Sequence, residues 1–278
     1  MPDNRPIGVF DSGIGGLTLV SGLARALPQE RFLFFGDTAH LPYGDKSSKA
    51  VITYSQGILQ FFARHGCKAV IIACNTASAV AYSYLERLWA DSMAVFNVID
   101  PVVQHCIDHL QASRIGVIGT KSTIRSRVYP RKFQQLASSV KVTTASAPLL
   151  APMIEEGFYD NTISRTLIGA YLDKKQFQDI EALILGCTHY PLIRQEIEEY
   201  FSGRVSVVDN IQPTISAVSQ KLADRDRLAD QKKAGETAPA HHFFVSDFTQ
   251  SFQETARIFF GASVELEQSD IWRLNTYS

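Results

Sequence analysis

Four cysteines stand at positions 67, 74, 106 and 187, and two of them close matching runs. Ala69-Val70-Ile71-Ile72-Ala73 leads to Cys74-Asn75-Thr76, and Ala182-Leu183-Ile184-Leu185-Gly186 leads to Cys187-Thr188-His189. Each run is apolar, of strand length, and ends in a thiol followed by hydrogen-bonding side chains. A thiol with a pKa of about 8.5 can exchange a proton near neutral pH, and burial or a neighbouring charge moves that value. Two thiols on opposite faces of one carbon could remove a proton and supply another from behind, which inverts a stereocentre. Adjacent thiolates would repel, so the pair is expected to rest as one thiolate and one thiol and to titrate together. A cysteine hydrolase built on Cys187 and a histidine base leaves Cys74 without a task. A zinc site from Cys74, Cys187 and His189 lacks a recognisable ligand spacing. Cys67 and Cys106 are expected to be small core residues.

Other reactive side chains fall at strand ends, where ligands of open parallel sheets bind. Ile7-Gly8-Val9-Phe10 runs into Asp11 and Ser12, Tyr43 lies in the loop after a second strand, and Thr120 follows Ile115-Gly116-Val117-Ile118-Gly119. Asp11 and His189 could assist the two thiols, although a carboxylate beside a thiolate raises its pKa. Gly13-Ile14-Gly15-Gly16 opens a helix, and free amides there could hold a carboxylate or phosphate. It is not a full dinucleotide or P-loop fingerprint.

The elements that must position these groups alternate strand and helix, which predicts parallel sheets covered on both faces. Ile115-Gly116-Val117-Ile118 repeats Ile7-Gly8-Val9-Phe10 at an offset of 115 − 7 = 108 residues, and the cysteines repeat at 187 − 74 = 113. That register is the mark of an internal duplication. The expected fold is α/β, with two similar doubly wound parallel-sheet domains related by pseudo-twofold symmetry and the active site between them. The first domain takes residues 1–99 with 209–278, the second 100–208. Asp100-Pro101 is read as a break in the pattern, Ala77 to Trp89 as one helix, Asp224 to Ala240 as a polar surface excursion, and Ser263 to Leu266 as a final strand. The 278 residues are 45% hydrophobic and 20% charged with a net charge of −1. This balance offers no electrostatic attraction to nucleic acid or an anionic membrane and points to a small ligand. The polar N-terminus has neither signal-peptide nor membrane-span character, which predicts a cytoplasmic protein.

Taken together, Phe10-Asp11-Ser12-Gly13-Ile14-Gly15-Gly16-Leu17, Pro42-Tyr43-Gly44, Ala73-Cys74-Asn75-Thr76-Ala77-Ser78, Glu155-Glu156-Gly157 and Leu185-Gly186-Cys187-Thr188-His189-Tyr190-Pro191 resemble the cofactor-independent glutamate racemases of the aspartate/glutamate racemase superfamily. The resemblance implies interconversion of L- and D-glutamate, supply of D-glutamate for peptidoglycan, no pyridoxal phosphate and no metal. It makes Cys74 and Cys187 the proton-transfer residues, assisted by Asp11 and His189. By the same carry-over Asp11, Ser12, Tyr43, Gly44, Asn75, Thr76, Thr120, Thr188 and His189 bind substrate, and Glu155 lies near the second thiol. A homodimer is compatible with it. Racemisation of aspartate or another small amino acid, or a regulatory role on a racemase scaffold, are the competing readings.

Overall fold

In the computed structural model, which describes residues 2–230, 240–260 and 264–272, the strands form two sheets in which every pairing is parallel. The first sheet holds β1 (Ile7–Asp11), β2 (Phe32–Gly36), β3 (Ala69–Ile72) and β4 (Ala94–Asn97). The second holds β5 (Arg114–Gly119), β6 (Lys141–Ser146), β7 (Ala182–Gly186) and β8 (Ser206–Val208). The chain then returns to the first sheet with β9 (His242–Val245) and β10 (Leu266–Gln268). The orders are β10-β9-β2-β1-β3-β4 and β6-β5-β7-β8. β1, β2, β3 and β7 are buried along their whole length, as uninterrupted apolar strands between two helical layers must be. β6, Lys-Val-Thr-Thr-Ala-Ser, is polar and partly exposed because it is an edge.

Both sheets share one plan, β2-β1-β3-β4 matching β6-β5-β7-β8. Ile7 pairs with Phe32 and Ala69, and Ile115 pairs with Val142 and Ala182. The ladder offsets, 115 − 7 = 108 and 182 − 69 = 113, are those of the repeated sequence runs. Because β1 and β3 lie side by side in one sheet and β5 and β7 in the other, each sheet carries its thiol next to its central strand.

Several local expectations need correction. Asp100-Pro101, read as a break in the pattern, lies inside the start of helix Ile99–His109, which leads from β4 of the first sheet to β5 of the second, with Pro101 in the first turn where a missing N–H costs no intrahelical bond. The stretch from Ala77 to Trp89 is two helices, Asn75–Val80 and Tyr82–Trp89. Ser78 ties the first to the sheet by donating to the Ile72 carbonyl and accepting from the Val98 N–H, while the second packs along β4. The final strand is Leu266–Gln268, and Ser263, where it was expected to begin, lies outside the described residues. So does most of the polar excursion, residues 231–239. Among the described residues no helix is long and apolar enough to cross a membrane.

Each sheet with the helices packed on it forms a lobe, and a buried ion pair lies at the base of the first. Lys68 and Glu30 are both fully buried, with Nζ 2.7 Å from Glu30 Oε2. The ammonium also donates to the carbonyls of Asp3 (2.6 Å) and Arg227 (2.7 Å), and Glu30 Oε1 accepts from the Ala229 N–H. Removing one partner strands a charge in the interior. Lys68→Met is therefore expected to cost about 3–5 kcal/mol, read as a lower midpoint of urea unfolding.

Candidate active site

Cys74 follows β3 as the cap of helix Asn75–Val80, and its sulfur accepts from the Ala77 N–H at 3.5 Å. A helix N-terminus ordinarily favours a thiolate. Here burial dominates, the Asp11 carboxylate adds to it, and the Ala77 amide and Ser12 hydroxyl only partly offset them, so the thiol is pushed up to about 12. Cys74 is a neutral acid at neutral pH, with Sγ 3.6 Å from Ser12 Oγ.

Cys187 follows β7 in the equivalent place and has different company. Its sulfur lies 3.7 Å from His189 Nδ1, and His189 Nε2 lies 2.8 Å from Oε1 of Glu155, the last residue of helix Leu150–Glu155. At that distance the Glu155 carboxylate and a protonated imidazole form an ion pair. Burial alone would lower the His189 pKa; Cys187 and Glu155 together outweigh it and hold the imidazole well above its ordinary value. One thiol of the pair thus stands beside an imidazole and the other beside a carboxylate.

Asp11 ends β1 and is fully buried. Its Oδ2 accepts from the Gly16 N–H (2.8 Å) and from the Thr188 hydroxyl (3.2 Å). The glycine-rich turn does hold an anion at its helix N-terminus, and that anion is the protein's own Asp11. A second reason for glycine is crowding: a Cβ on Gly15 would sit 2.8 Å from His189 Cε1 and 2.9 Å from Thr188 Oγ1. The turn from the first lobe thus lies directly against the thiol-bearing loop of the second.

More contacts join the lobes around the same space. Thr76 Oγ1 is 2.8 Å from Thr120 Oγ1 and 3.2 Å from Thr123 Oγ1, and a Cβ on Gly44 would come within 2.7 Å of Thr120 Cβ. Tyr43 is held from behind, its hydroxyl donating to Asp37 Oδ2 at 2.6 Å, and burial followed by the Asp37 charge keeps the phenol protonated. Asp37 also accepts from Ser246 Oγ and Trp272 Nε1, which fixes the wall carrying Tyr43.

These side chains enclose a cavity of about 170 Å³. Ser12, Tyr43, Gly44, Cys74, Asn75, Thr76, Thr120, Glu155, Cys187, Thr188 and His189 line it, as expected from the sequence. Asp11 does not line it; it stands behind the wall, next to Cys74 and Thr188. Leu41, Ala151 and Pro152 are lining residues that the sequence reading missed. Ala151 and Pro152 precede Glu155 by one helical turn, and that spacing could have placed all three on one face. Larger clefts of about 390 and 550 Å³ open elsewhere, but no cysteine or histidine lines either. Among the described residues no group of three His, Cys, Asp or Glu side chains is gathered as a metal site. Hydroxyls, an amide and backbone N–H groups can hold the carboxylates of a small substrate without an arginine clamp.

Known proteins resemble this chain in sequence and fold. The family model of Asp/Glu/hydantoin racemases matches residues 8–218. The glutamate racemase of Geobacter metallireducens is 37% identical over 260 residues, covering 94% of each chain. A crystal structure of glutamate racemase from Francisella tularensis in complex with D-glutamate superposes with a TM-score of 0.89 at 34% identity, covering 98% of this chain and 99% of that one. A glutamate racemase isoform from Bacillus anthracis gives a TM-score of 0.90 at 32% identity, with 96% and 98% covered. With the family model matching residues 8–218 and the fold and nearly the whole length in common with these relatives, this chain belongs to the Asp/Glu/hydantoin racemase family.

Proposed function

We propose that this enzyme interconverts L- and D-glutamate by proton transfer between Cys74, the substrate α-carbon and Cys187, and so supplies D-glutamate for peptidoglycan. The observation that carries the reading is one small cavity lined by two thiols from equivalent strand ends of two equivalent sheets. Burial and the Asp11 carboxylate hold Cys74 as an acid, and the reading assigns Cys187, beside His189, the complementary part of base in a two-base inversion. A proton leaves the α-carbon for one sulfur while the other delivers its proton to the opposite face, after which the two thiols have exchanged states. Ser12, Asn75, Thr76, Thr120 and Thr188 supply donors for the carboxylates, and Tyr43 and Gly44 close the wall. The enzyme is proposed to work in the cytoplasm, with lobes 1–99 plus 209–278 and 100–208 closing on the substrate; a homodimer is the assembly to look for by light scattering.

The test is racemisation by purified protein without added cofactor, followed by circular dichroism, with the α-hydrogen exchange monitored in deuterated water. Either glutamate enantiomer should reach the racemate and acquire deuterium at the α-carbon. A kcat/KM higher for aspartate than for glutamate would reassign the substrate.

Gly15→Ala gives a further check on how the lobes meet. The added methyl must displace His189 and Thr188, which touch Cys187 and Asp11 respectively. We expect a loss of about tenfold or more in kcat/KM, with a thermal midpoint shifted by only a few degrees.

A further inference from the structure

Asn75, which follows Cys74 directly, is almost fully buried in the cavity wall. Its Oδ1 accepts a hydrogen bond from the Tyr129 hydroxyl at 2.8 Å. Its Nδ2 is buried and has no hydrogen-bond partner among the described residues. A buried amide N–H2 left without an acceptor is costly, so a group that lines a cavity in this state is suited to a ligand that accepts. Which end of an amide faces the cavity depends on what holds the other end. Among the described residues Asn75 is the sole hydrogen-bond partner of the Tyr129 hydroxyl, so the phenol proton can only go to Oδ1.

Tyr129 comes from the other lobe, in the first turn of helix Val128–Leu136, and is itself 1% exposed. Arg127 before it adopts φ 55°, a left-handed conformation unusual for arginine, and this turns the chain between two helices. The phenol ring passes close to Gly186, where a Cβ would lie 3.6 Å from Tyr129 Cε2. Gly186 is the residue before Cys187, as Cys74 is the residue before Asn75. One side chain therefore reaches both thiol-bearing strand ends. Burial keeps its phenol protonated, so it remains a donor throughout the working pH range.

We infer that Tyr129 is a positioning residue for substrate binding: its hydroxyl fixes the Asn75 amide so that Nδ2 presents its hydrogens to a carboxylate of the substrate. The inference rests on the proposed glutamate racemisation and adds to it a residue outside the cavity that acts through Asn75. It assigns Tyr129 to binding and leaves proton transfer to the thiols.

The experiment is steady-state kinetics on both glutamate enantiomers for wild type, Tyr129→Phe, Asn75→Ala and the double variant. A hydrogen bond to a charged group is worth about tenfold in affinity, so Tyr129→Phe should raise KM about tenfold and leave kcat within about twofold. Asn75→Ala should raise KM at least as much, and the double variant should match Asn75→Ala, because the two changes remove one interaction. An unchanged KM in Tyr129→Phe, a fall confined to kcat, or additive effects in the double variant would each overturn the inference. Should Tyr129→Phe fail to fold, Asn75→Asp decides. An anionic oxygen in place of Nδ2 should raise KM beyond that of Asn75→Ala, and an equal or smaller rise refutes the assignment. Wild-type protein inactive on both glutamate enantiomers would instead overturn the racemase reading, and this inference with it; wild-type activity with an indifferent Tyr129→Phe overturns the inference alone.

Discussion

Replacing either Cys74 or Cys187 with alanine is expected to lower racemisation of both glutamate enantiomers by about 10²–10⁴-fold, the range for a lost general acid or base. Each thiol is the acid in one direction and the base in the other, so neither variant can spare one direction. Thermodynamics enforces the same symmetry: enantiomers have equal free energies, so kcat/KM must be equal in the two directions for wild type and for every variant. The differing environments of the thiols can show only as a kcat difference between enantiomers, matched by an equal ratio of KM. Exchange in deuterated water separates the two roles more sharply. A variant with one thiol can still remove the α-hydrogen from the face that the thiol meets and return deuterium to that same face. Each alanine variant should therefore incorporate deuterium into one enantiomer without inversion, and the two variants should select opposite enantiomers. Inversion at the wild-type rate in either variant, or deuterium entering both enantiomers with a single thiol, would remove the two-thiol mechanism.

Much of this site was legible in the sequence because duplication writes it twice. The Cys74 and Cys187 runs are strands by their apolar character alone, and their similar spacing from Ile7 and Ile115, 74 − 7 = 67 and 187 − 115 = 72 residues, put both at matching places of a repeated unit, which the structure shows to be the strand beside β1 and the strand beside β5. Residues adjoining those strand ends, such as Ser12, Thr76 and Thr188, came with them. Asp11 was placed at the end of β1, and its carboxylate is buried against Gly16 and Thr188 and acts on Cys74 through its charge, since periodicity shows where a residue lies and not which side of a wall its carboxylate takes. Its partner at Gly16 made the glycine-rich turn a binding site for an internal anion. Tyr129, Asp37 and Ala151 were illegible for another reason. Asp37 acts on the site through the Tyr43 hydroxyl and Ala151 through the helix that carries Glu155, while Tyr129 alone of the three crosses from the second sheet's helices to Asn75, and nothing in the types or spacing of Arg127-Val128-Tyr129 marks a side chain that will cross.

His189→Asn is expected to reduce kcat/KM by about 10²-fold and to change how stability depends on pH. His189 links Glu155 Oε1, 2.8 Å from Nε2, to the Cys187 sulfur, 3.7 Å from Nδ1. Burial disfavours the imidazolium, and the contacts with Cys187 and Glu155 more than compensate, so the folded-state pKa is raised. A raised pKa means that the folded protein holds this proton more tightly than the unfolded chain. The resulting stabilisation is complete below the unfolded value of about 6.5 and is lost as pH rises through the higher folded value. Asparagine cannot carry the proton at any pH. The stability gap between wild type and His189→Asn should accordingly be widest below about pH 6.5 and narrow as pH rises above it, beyond any constant difference from packing. Urea unfolding across that range measures the narrowing, and a gap independent of pH would show that His189 gains no proton affinity on folding. Glu155→Gln keeps a neutral group of the same shape beside Nε2 and removes the carboxylate charge, so its loss of activity and its pH-dependent gap should fall between those of wild type and His189→Asn. If Glu155→Gln equalled wild type in both, the imidazolium would be held by Cys187 alone, and the carboxylate at the end of helix Leu150–Glu155 would serve only as part of the wall.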